Sequence, residues 1–271
     1  MIYLKGQESR GAFTMSNQKI ELEKGVITFN ILNPFNMPVE DINKKLTEAM
    51  LVLQYDFDAV NETSGLSDLN YDSETDSLKG IYAAFKDFDV KCWEQGFEVV
   101  KNLKKLEKAE FLITSKAAYI WGGSAAIKSF CEMVQNTLNI HCSTADMEQE
   151  KLEKTKEKLK KVSALAFDNQ KTDVITKGNL AGRINELDLS EFIAEGHTIN
   201  SFGGVINTPV GLSAFCINKQ GKIKMQLENK NEALEPEFFD WVFDLLMRDG
   251  SPVKEPSLFD YAAATDEEEN K

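Results

Sequence analysis

The chain has 271 residues, 42% of them hydrophobic and 28% charged, with a formal net charge of −13. That length supplies a core for one large domain or two small ones without disulfides or a structural metal, and no run of about 18 apolar residues offers a membrane span. The charge is uneven: residues 1–100 carry −8, 101–161 carry +4, 162–230 balance and 231–271 carry −9, so the acidic total does not exclude an anionic partner.

The opening "MIYLKGQESRGAF" lacks the apolar core of a signal peptide, and the four cysteines (92, 131, 142, 216) form no CxxC pair. Both point to a cytoplasmic protein with reduced thiols. Residues 1–24 read as an extension, 25–254 as the folded body and 255–271 as an acidic, mobile tail.

"VITFNIL" (26–32) is β-branched and aromatic, the composition of a strand. After the turn "NPFNMP", Ile42, Leu46, Ala49, Met50 and Leu53 share one face of an amphipathic helix. Residues 56–80 are polar and punctuated, and predict a long loop with at most one short strand. "DVKCWEQGFEVVKNLKKLEK" (89–108) predicts a helix with Trp93, Phe97, Val100 and Leu103 or Leu106 inward. Two apolar strands, 110–114 and 117–121, flank a turn at Ser115–Lys116. Gly122 and Gly123 end the second strand, and Ser124 caps a helix buried through Ile127, Cys131, Val134 and Leu138. Residues 143–161 begin acidic and end basic, as a helix dipole favours, with Leu152 and Leu159 as the buried stripe. A strand near 163–167, a short helix at 186–196, a hairpin at 212–227 turning at Lys219 to Gly221, and a helix at 236–250 complete the chain. Strands and helices mix without a regular βαβ beat, so the expected class is α+β, with antiparallel sheets, hairpins and packed helices.

Enzyme signatures are absent. The two histidines, His141 and His197, have no neighbours that make a catalytic set, and His141, Cys142 and Cys216 lack zinc-ligand spacing. "DLNYDSETD" (68–76) opens like a calcium loop, but Ser73 replaces the needed glycine and Lys79 the needed glutamate. "WGGSAAIKS" (121–129) is neither GxxxxGK[ST] nor GxGxxG. No catalysis, cofactor or metal is expected. The lysine-rich "KLEKTKEKLKK" (151–161) reads either as a solvated helix with Glu150–Lys154 and Glu157–Lys161 pairs or as a surface tracking phosphates.

Three stretches resemble the RdgC family of recombination-associated DNA-binding proteins: "VITFNILNPFNMPVEDINKKLTEAM", "EFLITSKAAYIWGGSAAIKSFCEMVQNTL" and "LDLSEFIAEGHTINSFGGVINTPVGLSAFCINKQGKIKMQLEN". They occur in the family's order and cover a third to a half of the chain. Residues 56–80 and the lysine helix have no counterpart. The resemblance implies a ring-shaped homodimer with duplex DNA in a positively lined hole, no sequence reading, limitation of RecA access, and a place on the nucleoid. On that reading the DNA-facing cations are Lys101, Lys104, Lys105 and Lys108, with Lys116 and Lys128. The lysine helix adds Lys151, Lys154, Lys158 and Lys161; Lys177 and Arg183, before the third stretch, and Lys222 and Lys224, in the hairpin at 212–227, complete the set. The aromatics Phe238, Phe239, Trp241 and Phe243 exceed what one buried stripe needs and are assigned to the dimer contact. The alternative is an acidic inhibitor, or DNA mimic, that occupies a partner's basic groove.

Overall fold

A computed structural model describes residues 25–33, 35–52, 55–169, 177–182, 184, 188–227 and 235–247. The expected extension and tail lie outside the described residues. Among the described residues ten strands form one antiparallel sheet in the order β2-β3-β4-β5-β1-β10-β9-β8-β6-β7, accompanied by five helices, which makes the fold α+β. The strands are β1 (Val26–Leu32), β2 (Gly65–Asp72), β3 (Ser77–Glu94), β4 (Phe97–Ile113), β5 (Ala118–Gly122), β6 (Lys161–Asn169), β7 (Lys177–Ala181), β8 (His197–Thr208), β9 (Gly211–Asn218) and β10 (Lys222–Leu227). The helices are α1 (Val39–Val52), α2 (Ser124–Leu138), α3 (Gln149–Lys158), α4 (Leu189–Ala194) and α5 (Pro236–Met247).

The first strand of the chain sits in the middle of the sheet. β1 pairs with β5 through Asn30–Ile120 and Leu32–Ala118, and with β10 through Val26–Gln226 to Asn30–Lys222. The meander β2-β3-β4-β5 lies on one side of it and β10-β9-β8-β6-β7 on the other. The helices cover these halves on opposite faces. α1 and α2 bury Leu78, Tyr82, Phe111, Ile113, Ala118 and Ile120 of the first half. α3 and α5 bury Ile27, Phe29 and Ile31 together with Ile199, Phe202, Phe215, Ile223 and Met225. β5 contributes Tyr119 to one layer and Ala118 and Ile120 to the other. Burial on both faces explains the apolar run of β5, whereas β1 alternates buried Ile27, Phe29 and Ile31 with half-buried Val26, Thr28 and Asn30 until Leu32.

α5 is fastened to the β4–β5 turn. The Thr114 hydroxyl donates to Asp240 Oδ1 at 2.6 Å, the Tyr119 hydroxyl donates to the same oxygen at 3.0 Å, and Lys116 Nζ meets Asp244 Oδ2 at 2.9 Å. Phe239 is fully buried and packs edge-on to Phe29 at 5.1 Å and flat against Trp121 at 5.7 Å.

Several expectations need correction. Residues 89–108 are not a helix; they are the distal parts of two long strands, 18 and 17 residues, joined by Gln95–Gly96. Both loop residues have positive φ, 51° and 87°, the geometry of a two-residue hairpin turn that glycine favours. The 3–4 spacing of Trp93, Phe97 and Val100 imitated a helical face, yet Trp93 and Phe97 are each 74% exposed. Residues 56–80 hold β2 and the start of β3, not one long loop; Asp72 closes their turn by accepting the Glu74 N–H at 2.9 Å. The helix expected over 143–161 is the shorter α3. Residues 144–147 instead run extended along the seam, with Ala145 N–H donating to Ile31 and Met147 N–H to Lys219. Ser124 does not cap α2. The N-cap is Gly123, and Glu107 accepts the Ala125 N–H at 3.0 Å. Gly122 permits the approach, since a Cβ there would lie 2.3 Å from the Lys108 carbonyl oxygen.

Two stability effects follow from this packing. Phe29→Ala removes the ring on which β1, β5 and α5 converge, and is expected to cost about 3–5 kcal/mol in denaturant unfolding; Trp93→Ala, on the exposed ribbon, should stay within about 0.5 kcal/mol. Burial under α2 pushes the Tyr82 phenol up to about 12. Its folded value is raised, so the contribution to stability is complete below the unfolded value of about 10 and is lost as pH rises through about 12. Tyr82→Phe should remove this alkaline loss from a stability–pH profile.

Candidate functional site: the open face of the second half-sheet

Opposite helical layers leave one face of the second half-sheet uncovered by any described helix. Alternation and register define what it presents. One row across the strands reads Thr28, Lys224, Cys216, Gly203, Ala164, Ala181. The next reads Asn30, Lys222, Asn218, Ser201, Ala166, Asn179. Beyond the first lie Val26, Gln226, Ala214, Val205 and Lys161; beyond the second, Thr198, Asp168 and Lys177.

The middle of this face is built from small residues, so a ligand can approach the backbone closely. The cations stand at its margins. Lys222 and Lys224 are exposed on β10, Lys161 on β6 and Lys177 on β7. β10 and β6 are three strand spacings apart and β10 and β7 four, about 14 and 19 Å at ordinary sheet spacing. None of the four lysines is held in an ion pair among the described residues. The one carboxylate on these strands of the face, among the described residues, is Asp168, opposite Lys177. Cys216 lies beside Lys224; its thiol is pushed up by desolvation, which the Lys224 charge partly offsets.

The other expected DNA contacts are dispersed. Lys101, Lys104, Lys105 and Lys108 lie on β4, where alternation sends Lys101 and Lys105 to one face and Lys104 and Lys108 to the other. Lys101 pairs with Glu94, Lys104 with Glu62, and Lys105 with Glu107 at 3.4 Å. Lys116 is bound to α5 as described. Lys128 is exposed on α2 near Glu132, 3.8 Å away. On α3, Lys151, Lys154 and Lys158 are half-buried in the layer on the opposite face of the sheet. Lys154 meets Glu150 at 2.9 Å, and Lys158 Nζ donates to the Leu245 carbonyl of α5. Arg183 lies outside the described residues. The lysine stretch is therefore split: its helical part packs and pairs, and only Lys161, already in β6, reaches the open face.

Of the aromatics assigned to dimerisation, two are corrected and Trp241 and Phe243 stay half-exposed. Phe238 and Phe239 are buried in the chain's own core, with Trp241 and Phe243 packed against it. The sequence excess of aromatics on α5 is spent on both β1 and β5, which a single-helix stripe does not anticipate. His141 is exposed, while His197 stacks on Phe192 at 4.0 Å and meets Phe167 edge-on. Cys142 is buried beside Cys131, whereas Cys216 stands on β9. Among the described residues no three His, Cys, Asp or Glu side chains gather as a metal site requires.

Lys158→Gln is expected to lower stability by about 1 kcal/mol, by loosening α3 from α5. Lys222→Gln and Lys224→Gln should leave it within about 0.5 kcal/mol in the same denaturation experiment.

No protein-family model matches the chain, and no curated protein matches it.

Proposed function

We propose that this chain binds duplex DNA along the open face of the second half-sheet, without reading base sequence and without catalysis. The observation that carries this reading is the convergence of Lys161, Lys177, Lys222 and Lys224 on one uncovered face, against a single described carboxylate, in a chain of net charge −13. Two rails of cations about 14–19 Å apart can straddle a groove of a duplex, whose major groove is about 12 Å wide. The floor between them is mostly Ala, Gly, Ser and Cys, with the Asn218 side-chain amide among them, so the long forked donors that distinguish bases are sparse there. Contacts to phosphate position a duplex but carry no sequence information.

A protein bound in this way occupies DNA and limits what else can load, including a recombinase such as RecA, the consequence that the resemblance to the RdgC family implies. The competing reading, an acidic surface acting on a partner's basic groove, draws on residues 1–100, net −8, and 231–271, net −9.

Binding to a random-sequence duplex should weaken steeply with salt. Replacing Lys161, Lys177, Lys222 and Lys224 by Gln should reduce the slope of log K against log salt by about 0.9 for each phosphate no longer neutralised. Gln at Lys101, Lys104 and Lys105 should leave the slope unchanged, because those charges are already paired. Bound duplex should also slow maleimide labelling of Cys216. Absence of duplex binding at low salt, or a quadruple variant with an unaltered slope, overturns the proposal.

A further inference from the structure

The end of α5 lies close to the open face of the second half-sheet. Lys158 Nζ donates to the Leu245 carbonyl, two residues before α5 ends at Met247. Lys161 follows Lys158 by three residues, at most about 11 Å along the chain, and is the first residue of β6. A chain leaving α5 therefore comes to the open face over the end of a strand. Lys161 stands in the first row of that face, level with Val205, Ala214 and Gln226. Lys224 stands one row and Lys222 two rows further in, three strands away. At ordinary sheet spacings they are about 16 and 20 Å from Lys161.

The sequence after Met247 matches this layout in charge and spacing. Over residues 255–271 six carboxylates stand against one lysine, four of them consecutive, Asp266 to Glu269. Residues 1–24, which lead to β1, hold four cations and three carboxylates and offer no such match. Thirteen residues separate Asp260 from Met247 and span up to about 45 Å, ample for the way round the start of β6. Between Asp260 and the run that begins at Asp266, six extended residues cover about 20 Å, the separation of Lys161 from Lys222 and Lys224. The one carboxylate described on these strands of the face, Asp168, lies at the far margin beside Lys177. The small side chains of the floor let an extended chain lie close to the sheet.

We infer that residues 255–271 dock on the open face of their own chain, Asp260 at Lys161 and the Asp266–Glu269 run over Lys222 and Lys224, and so compete with a polyanion for the same cations. The competition with duplex DNA rests on the function proposed above; the docking does not. A tethered segment acts at an effective concentration in the millimolar range, so even weak pairing keeps the face covered at low salt, and screening by salt releases it. A duplex then binds only the molecules whose face is open, and its apparent affinity falls by that fraction. Because salt opens the face while it weakens phosphate contacts, the segment also flattens the salt dependence of duplex binding.

The test compares the full chain with two variants, one ending at Lys254 and one carrying Asp266→Asn, Glu267→Gln, Glu268→Gln and Glu269→Gln; circular dichroism shows that each keeps the folded body. Docking is read without DNA, from the rate of maleimide labelling at Cys216, exposed on β9 beside Lys224, with the labelled peptide identified by mass spectrometry. At about 20 mM salt Cys216 should react about tenfold more slowly in the full chain than in either variant, and the difference should vanish by about 0.5 M. In a background with Lys161, Lys177, Lys222 and Lys224 replaced by Gln, the full and shortened chains should label alike. Random-sequence duplex should bind about tenfold more tightly to either variant at low salt, with a steeper salt slope. Protection of Cys216 in a chain that binds no duplex supports the docking and overturns the DNA reading alone. Equal labelling of Cys216 with and without the segment at low salt, or protection that survives the four lysine replacements, overturns the docking; protection with a duplex affinity indifferent to the segment overturns the competition.

Discussion

β1 is hydrogen-bonded along both edges, to β5 and to β10, and its buried side chains reach both helical layers. Everything else in the architecture depends on that double engagement. Phe29 and Ile31 face α5 and the second half-sheet, while Leu32 faces α1 and α2. A strand from one end of the described chain thus joins two meanders that would otherwise be separate sheets, each with an open edge. The extended segment 144–147 reinforces the junction by bonding to Ile31 on one side and Lys219 on the other.

From this seam follows the distribution of solvent-facing surface. Each meander needs one helical layer to bury its apolar face, and the layers lie on opposite sides of the sheet. The second half consequently keeps one face without a described helix above it, whereas in the first half α5 covers β5 and the end of β4 on the face opposite α1 and α2. In the second half that face is made of small residues and margin lysines, so desolvation of its floor costs little and its charge is available to a polyanion. α3 has the denser lysine sequence but lies in the layer across the sheet. Leu152 and Thr155 are buried there, and Lys158 is held at the end of α5. Local lysine density and accessible positive potential are separated by the thickness of a sheet.

The β3–β4 ribbon obeys a different balance. Its lysines are matched by nearby carboxylates, so the field it projects is weak, while its apolar residues are exposed in register. The open face and the ribbon thus differ in chemistry as well as place: cations over small side chains on one, paired charges around apolar side chains on the other.

Much of the fold was legible in local pattern. The apolar, β-branched run of β1, the hairpin β9–β10 around Gly221, the β4–β5 turn at Ser115–Lys116 and the helices α1, α2 and α5 each announce themselves by composition, period or punctuation. Residues 89–108 defeat a local reading because a two-residue turn at Gln95–Gly96 is hidden inside a spacing that also suits a helix, and only the cross-strand pairing of β3 with β4 decides between the two. The candidate site was legible only in part. Lys222 and Lys224 alternate with buried Ile223 and Met225 in the sequence itself, which marks them as one exposed face. Their grouping with Lys161 and Lys177 depends on β9 and β8 lying between β10 and β6, and β7 lying beyond. That order is fixed by nonlocal hydrogen bonds and by which face each helix buries, so the sequence alone determined β1, β5, β9, β10, α1, α2 and α5 with their amphipathic faces, and tertiary structure decided the β3–β4 ribbon and which cations stand together.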